Sequence, residues 1–383
     1  MIYLDNAATS LRRPEGVVRA VSEALCSLGN VGRGVSESAL SAARVVYAAR
    51  EKLCAFFGGA DPSRVCFTQN STEALNTAIF GLLRPGDHVI STDLEHNSVL
   101  RPLYRLEQEG VEVTFLRADA RGCIDYADLP RALRPNTRAI VCTHASNLTG
   151  NALDASRIGA FAREHGLLFI LDASQTAGSF DLNAQRDGVS VLCFTGHKGL
   201  FGPQGTGGIV WNPEFAERCA PLSVGGTGSL SHEETQPALM PDKFEAGTPN
   251  LPGMAGLDAA LEWLEKTGVA EIAAKEEKLG RRLEEGLLSI DGIRLLGAAG
   301  GSGPRLPVYA FNIDGMDNGT LARALSDQYG IESRPGLHCS PLAHRTLGTF
   351  PEGALRLSPG YFNTEEEIDY TVAAINELVN RRL

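Results

Sequence analysis

The sequence predicts an α/β fold, with a large unit on a mostly parallel seven-stranded sheet and a smaller α+β unit behind it. Three observations predict it. Between about residues 63 and 211, short β-rich runs alternate with helix-length amphipathic stretches, the pattern of a parallel sheet covered by helices on both faces. After about residue 250 the alternation gives way to long helices and isolated strands. A chain of 383 residues also exceeds what one hydrophobic core usually supports.

The elements follow in order. Apolar, β-rich runs place strands at 64–69, 88–92, 112–116, 138–143, 167–171, 189–194 and 208–211. Amphipathic stretches between them place helices at 72–83, 98–109 and 155–165. Beyond them, 253–266 and 269–288 read as long helices, the second rich in Lys, Arg and Glu and so solvated along one face. Strands at 294–296 and 308–313, a helix over 318–329, a strand at 355–358 and a terminal helix from 364 complete the smaller unit. The run AAGGSGP at 298–304 reads as a flexible surface turn. We divide the chain into a large unit, 14–252, and a small one, 1–13 with 253–383.

Hydrophobic residues make up 43% and charged residues 21%, ordinary for a globular protein, and the net charge is −11. An acidic chain is ill suited to phosphate backbones or anionic membranes, so neither nucleic acid nor membrane is an expected partner. The start, MIYLDNAATS, has no basic stretch or signal-length apolar run, and no run of about 18 apolar residues occurs, so a cytoplasmic protein is expected.

Eight cysteines are scattered without a CxxC pair, which argues against a zinc site or a disulfide framework. Most lie in apolar runs such as VCFT and VLCFTG and read as small buried hydrophobes. Cys339 differs: its segment RPGLHCSP is polar, carries Gly and Pro, and places a histidine beside the thiol. Cysteines in such loops are the reactive ones.

The strongest motif is LDASQ at 171–175, followed by FTGHKGLFGPQGTGG from Phe194. Ligands of open parallel sheets bind beyond the carboxyl ends of strands, which aims Asp172 at a site. The next strand runs out into Gly196-His197-Lys198. A lysine there can condense with an aldehyde, and a carboxylate one strand away can pair with a protonated pyridine nitrogen. Those are the two contacts that pyridoxal 5'-phosphate (PLP) requires. NSTEALN, with Ser71 and Thr72, opens a helix and offers hydroxyls and free N–H groups to a phosphate, with Thr195 and His197 as further donors. Taken singly, each motif has a plain reading as a helix cap, a turn or a surface dipeptide. His96 is placed to lie flat over a pyridine ring, and Asn147 ends another strand of the same sheet.

The ordered set DNAAT, TEALN, EHNS, SNLTG, DASQ, GHK, FEAGTPN, HC and R-x-S-x-x-x-x-NT resembles the class V aminotransferase family. Within it, the chain is similar to the SufS-type (group II) cysteine desulfurases and selenocysteine lyases. The resemblance implies a PLP-dependent transferase of fold type I, a homodimer with its active site at the dimer interface. It gives Lys198 as the lysine bonded to the cofactor, Asp172 as the partner of the ring nitrogen, Gln175 at the phenolic oxygen and His96 stacked on the ring. Thr72, Thr195 and His197 match phosphate ligands, and Thr248 one that reaches the other subunit. Asn147 and Arg356 match residues holding the amino-acid carboxylate, and Arg33 a site-lining arginine from the partner chain. Cys339 falls on the nucleophile.

On this reading Lys198 moves a proton at the substrate Cα, and the Cys339 thiolate takes sulfur from L-cysteine, leaving alanine and a persulfide. A nearby cation or imidazole, His338 or a protonated His96, is expected to raise the thiolate fraction, while simple packing of the loop is the other role open to His338 and to His344. L-Selenocysteine is the alternative substrate, and another class V reaction on a small amino acid or a non-catalytic sulfur-relay module are the rival readings. A sulfur-acceptor protein is a further expected partner. The pathway it serves, iron–sulfur assembly among others, stays open.

Overall fold

The computed structural model describes residues 1–31, 34–297 and 303–381. The chain opens with β1 (Ile2–Tyr3), α1 (Glu15–Ser27) and α2 (Glu37–Phe56). The alternating region follows as β2 (Val65–Thr68), α3 (Ser71–Leu82), β3 (His88–Thr92), α4 (Asn97–Gln108), β4 (Glu112–Leu116), α5 (Asp128–Ala132), β5 (Thr137–Thr143), α6 (Ala155–Glu164), β6 (Leu168–Asp172), β7 (Val191–Thr195) and β8 (Gly207–Trp211). Next come α7 (Pro213–Arg218), a long loop, α8 (Leu251–Thr267) and α9 (Val269–Leu288). The last part holds β9 (Ile293–Leu295), β10 (Tyr309–Ile313), α10 (Asn318–Tyr329), β11 (Ile331–Glu332), β12 (Arg334–Gly336), α11 (Pro341–Thr346), β13 (Ala354–Leu357) and α12 (Glu365–Asn380).

The seven predicted strands form one sheet in the order β2-β8-β7-β6-β5-β3-β4, in which only β8 runs against its neighbours. Helices bury both faces, and the two-residue period of a strand deals its side chains to two cores. On β6, Phe169 and Leu171 enter one cluster with Leu53, Phe57 and Leu257, while Leu168 and Ile170 enter another with Leu75, Ile79 and Leu103. That is why these strands read as unbroken apolar runs. Asn70 caps α3 by accepting from the Glu73 amide, and Thr364 with Glu367 forms a capping box on α12.

Helices α1 and α2 are not among the predicted elements. Exposed Val18 and Leu25 on α1, and Leu40 and Tyr47 on α2, blur the apolar stripe that would have marked them. Both pack against α8.

The smaller sheet is antiparallel in the order β12-β13-β10-β9, covered by α9, α10 and α12. Leu279, Leu283, Phe311, Leu325, Leu355 and Ile375 fill its core, and Leu4 joins them from the N-terminus. β1 pairs in parallel with β11, so the first residues lie beside the last third of the chain. From there the segment after β1 crosses to the carboxyl ends of the large sheet.

Candidate active site

Four strands of the large sheet, β3, β5, β6 and β7, bring their carboxyl ends to one edge. Asp172, the last residue of β6, is buried there and accepts hydrogen bonds from the Ser174 amide at 2.9 Å and from the Ser174 hydroxyl. Lys198 lies three residues beyond β7. Its carbonyl accepts from the Ser10 hydroxyl at 2.9 Å and from the Phe201 amide at 2.8 Å. Burial lowers the Lys198 amine to a pKa of about 8; Asp172 opposes the shift, while Arg356 and Arg334 add to it. An amine so poised is free base for part of the time near neutrality.

His96 caps α4, its Nδ1 accepting from the Ser98 amide at 3.0 Å. That bond leaves the ring proton on Nε2. Burial, and then the charge of Lys198, lower the imidazole to a pKa of about 4 against the opposing pull of Asp172, so the ring is neutral. The Ser98 hydroxyl links Nδ1 of His96 to the Thr72 hydroxyl, at 2.9 and 2.8 Å. Ser71 departs from expectation. Asn70 provides the side-chain cap of α3, and the Ser71 hydroxyl instead turns inward to Asp172 at 3.3 Å. Only Thr72 of the pair is exposed at the helix end.

The loop after β5 and the Cys339 loop are knotted together. Asn147 donates from Nδ2 to the His338 carbonyl and accepts at Oδ1 from the Ser340 hydroxyl, both at 2.6 Å. Its backbone carbonyl accepts from Arg356 Nη1 at 2.9 Å. Arg356 is 2% exposed, its Nη2 donates to Asp5 at 2.6 Å, and its buried Nε finds no partner among the described residues. Cys339 itself is exposed, and its carbonyl accepts from the Asn97 amide at 2.7 Å, beside His96. His338 and Cys339 both take left-handed backbone angles, φ +50° and +57°, an uncommon state for residues with side chains.

The expected activation of Cys339 by an adjacent imidazolium fails here. His338 is buried, gives Nε2 to the Arg334 carbonyl at 2.9 Å and stacks on His344 with ring centroids 5.7 Å apart. Burial above all, with the charge of Arg356, lowers its pKa to about 3. His344 is likewise lowered by burial, to about 4, and bonds the Thr349 hydroxyl. Both histidines pack the loop as neutral rings, and neutral His96 is no cation either.

Three further predicted residues are tied to the N-terminal segment or strand end. Gln175 donates to the Ala7 carbonyl at 3.1 Å, His197 Nδ1 meets the Thr9 hydroxyl at 3.0 Å, and buried Thr195 donates to the Thr206 carbonyl. Thr248 is exposed, and among the described residues no hydrogen bond joins it to this cluster. Arg33 lies outside the described residues. Sequence reasoning gave no role to Asp5, Ser10, Ser98, Arg334 or Ser340. The DNAATS run was visible, but only the crossing of the N-terminal segment explains it.

This arrangement coincides with a known family. The family model "Aminotransferase class-V" matches residues 2–371. The chain belongs to the class V aminotransferases. A class V relative from Methanothermobacter thermautotrophicus, named "probable cysteine desulfurase", is 35% identical over 98% of this chain and 94% of its own. The cysteine desulfurase CsdA of Escherichia coli is 33% identical, over 98% and 93%. Among solved structures, the apo cysteine desulfurase of Thermococcus onnurineus superposes with a TM-score of 0.93 at 32% identity, covering 99% of this chain and 95% of that one.

Class V aminotransferases are PLP proteins, and the residues present fit that cofactor. The donor set provides an amine of lowered pKa for an aldehyde, a buried carboxylate one strand away for a pyridine nitrogen, and the N-terminus of α3 for a phosphate.

Proposed function

We propose that this protein is a PLP-dependent cysteine desulfurase, converting L-cysteine to alanine and loading the sulfur on Cys339. The observation that carries the reading is Cys339 itself. It is an exposed thiol on a bent loop, fastened through its own carbonyl to the residue after His96. The cysteine desulfurase relatives, similar along nearly the whole chain, support the same activity.

When bound, PLP supplies an aldehyde that holds the substrate amino group and a ring that accepts negative charge from Cα. Lys198 would hold the cofactor through its amine and would carry the proton to and from the substrate Cα. Asp172 keeps the ring nitrogen protonated, with Ser71 and Ser174 orienting the carboxylate. Neutral His96 covers the ring, and Gln175 bonds its oxygen. Thr72, Thr195 and His197 take the phosphate. Arg356 takes the substrate carboxylate, for which its unpartnered Nε is a ready donor. Cys339, as thiolate, attacks the substrate sulfur. An S–S bond forms, the Cβ–S bond breaks, Cβ gains a proton, and the products are alanine and a Cys339 persulfide.

The finer expectations belong to the same proposal. Two copies form the working unit, with Thr248 and Arg33 serving the partner's site. Exposed Leu40 and Tyr47, seven residues apart on one face of α2, support such an interface. All eight cysteines are free, which suits a reducing cytoplasm, and no helix of the described residues is long and apolar enough to cross a membrane. The large unit 14–252 carries the cofactor, the small unit carries Cys339, and a sulfur-acceptor protein takes the persulfide.

The test is to incubate PLP-loaded protein with L-cysteine or L-selenocysteine and to quantify alanine with sulfide or selenide, beside Cys339→Ala. Alanine from cysteine, lost in the variant, is expected. Alanine only from selenocysteine, surviving in the variant, makes the protein a lyase and overturns the assignment.

A further inference from the structure

The Cys339 loop combines features that belong to an enforced conformation. Cys339 is exposed, yet both its neighbours are buried, His338 at 5% and Ser340 at 0%. His338 and Cys339 both stand in the left-handed region, where a side chain is strained and persists only if its surroundings insist on it. What insists is on the page. One amide side chain, Asn147, bonds both neighbours of the nucleophile at once, His338 through its carbonyl and Ser340 through its hydroxyl. Two backbone bonds complete the hold, from the Asn97 amide to the Cys339 carbonyl and from the Ser340 amide to the Leu337 carbonyl.

We infer that Ser340 is a positioning residue: with Asn147 it forms a clamp that holds Cys339 in its strained backbone state and so sets where the thiol points. A serine hydroxyl could serve as an ordinary helix cap for α11, which begins at Pro341, but Ser340 makes no such bond. Its hydroxyl goes to Asn147 on the large sheet instead. Both ends of the Asn147 amide are committed to the loop, so this side chain acts on the nucleophile through its neighbours. The role of Ser340 in sulfur transfer rests on the desulfurase reading, whereas the clamp does not.

Ser340→Ala and Ser340→Thr, the second keeping the hydroxyl, separate the two. Amide hydrogen exchange across 334–340 and 95–98 is measured on PLP-loaded protein without substrate. The clamp predicts that Ala speeds exchange at the Ser340 and Asn97 amides by about tenfold, the worth of one buried hydrogen bond, and that Thr restores it. With L-cysteine, single-turnover persulfide formation in Ser340→Ala falls by about tenfold at saturation while KM and the cofactor absorbance stay unchanged. Unchanged exchange in Ser340→Ala overturns the clamp, and so does a slowed transfer without faster exchange, which makes the hydroxyl a chemical participant. Should the wild type itself form no persulfide, the desulfurase reading fails, and the exchange result alone still decides the clamp.

Discussion

Arg356 and Asp5 meet at 2.6 Å across 351 residues of sequence, and the arginine is almost wholly out of water. A guanidinium in that position is held by this one carboxylate and by the carbonyl of Asn147. Removing a partner from a buried ion pair leaves an uncompensated charge, which costs about 3 kcal/mol or more. Asp5→Ala is therefore expected to lose about that much in urea unfolding. Arg356→Lys, which keeps charge but loses the fork, is expected to raise KM for cysteine by at least ~10-fold.

Lys198 makes the reaction with cofactor pH-dependent. Its amine is lowered to about 8 by burial, so the free base that attacks an aldehyde grows as pH rises through that value. The rate at which apoprotein takes up PLP, followed by visible absorbance, should rise between pH 7 and 9 with a midpoint near 8. Lys198→Ala should show no cofactor that survives borohydride reduction and dialysis.

Acid should unfold this protein from an unusually high pH. His96, His144, His197 and His344 are lowered to about 4 and His338 to about 3, in each case mainly by burial. A histidine lowered in the fold binds its proton more readily when unfolded, so the stability it contributes is full above its unfolded pKa of about 6.5 and is lost as pH falls toward 4. Glu276, raised to about 7 by burial, works the other way, gaining stability as pH falls from 7 toward its unfolded value. Glu95 and Asp93, also raised mainly by burial, add to that opposition. Six histidines, with His88 also lowered by burial, outweigh four carboxyls, with Glu107 also raised by it, so Tm is expected to fall between pH 6.5 and 5, and more steeply in Glu276→Gln.

Neutral, stacked His338 is not expected to tune the reactivity of Cys339. If His338 were the activating cation, alkylation of Cys339 by iodoacetamide would show an imidazole inflection that vanishes in His338→Gln. The same profile in both proteins is expected, with reduced thermal stability in the variant from the lost contacts with His344 and the Arg334 carbonyl.

Arg50 anchors the loop that carries Thr248 and leads into α8. Its guanidinium forms a two-pronged pair with Glu245 at 2.7 and 2.9 Å, and Glu245 also accepts from the Phe67 amide on β2. Arg50→Ala should cost about 3 kcal/mol in unfolding. If Thr248 serves the partner's cofactor, the same variant should weaken PLP retention, measured by dialysis, while leaving the reactivity of Cys339 unchanged.

Much of this was legible in the chain. The strand at 88–92 and the helix at 318–329 match the structure end for end, because buried parallel strands and capped amphipathic helices write their periodicity plainly. Asp172 and Lys198 stood out in the sequence because the end of an apolar strand is a place with a known use, and the structure brings them to one sheet edge. What stayed hidden depends on contacts between distant segments. Ser71 looked like a cap until the fold turned its hydroxyl to Asp172. His338 looked like an activator because it is next to Cys339 in sequence, while its ring points at His344. Ser340 carries no local signal, and Asp5 lies in the visible DNAAT run without any sign of its partner, since both partners lie on other elements.

The pairing of β1 with β11 and of Asp5 with Arg356 also makes the N-terminal strap depend on segments far along the chain. A chain ending between β8 and β13 has Lys198 and the whole large sheet, yet lacks Arg356 and leaves Asp5 without that partner. On the proposed reading, such a chain would offer an amine to an aldehyde but no arginine to a substrate carboxylate.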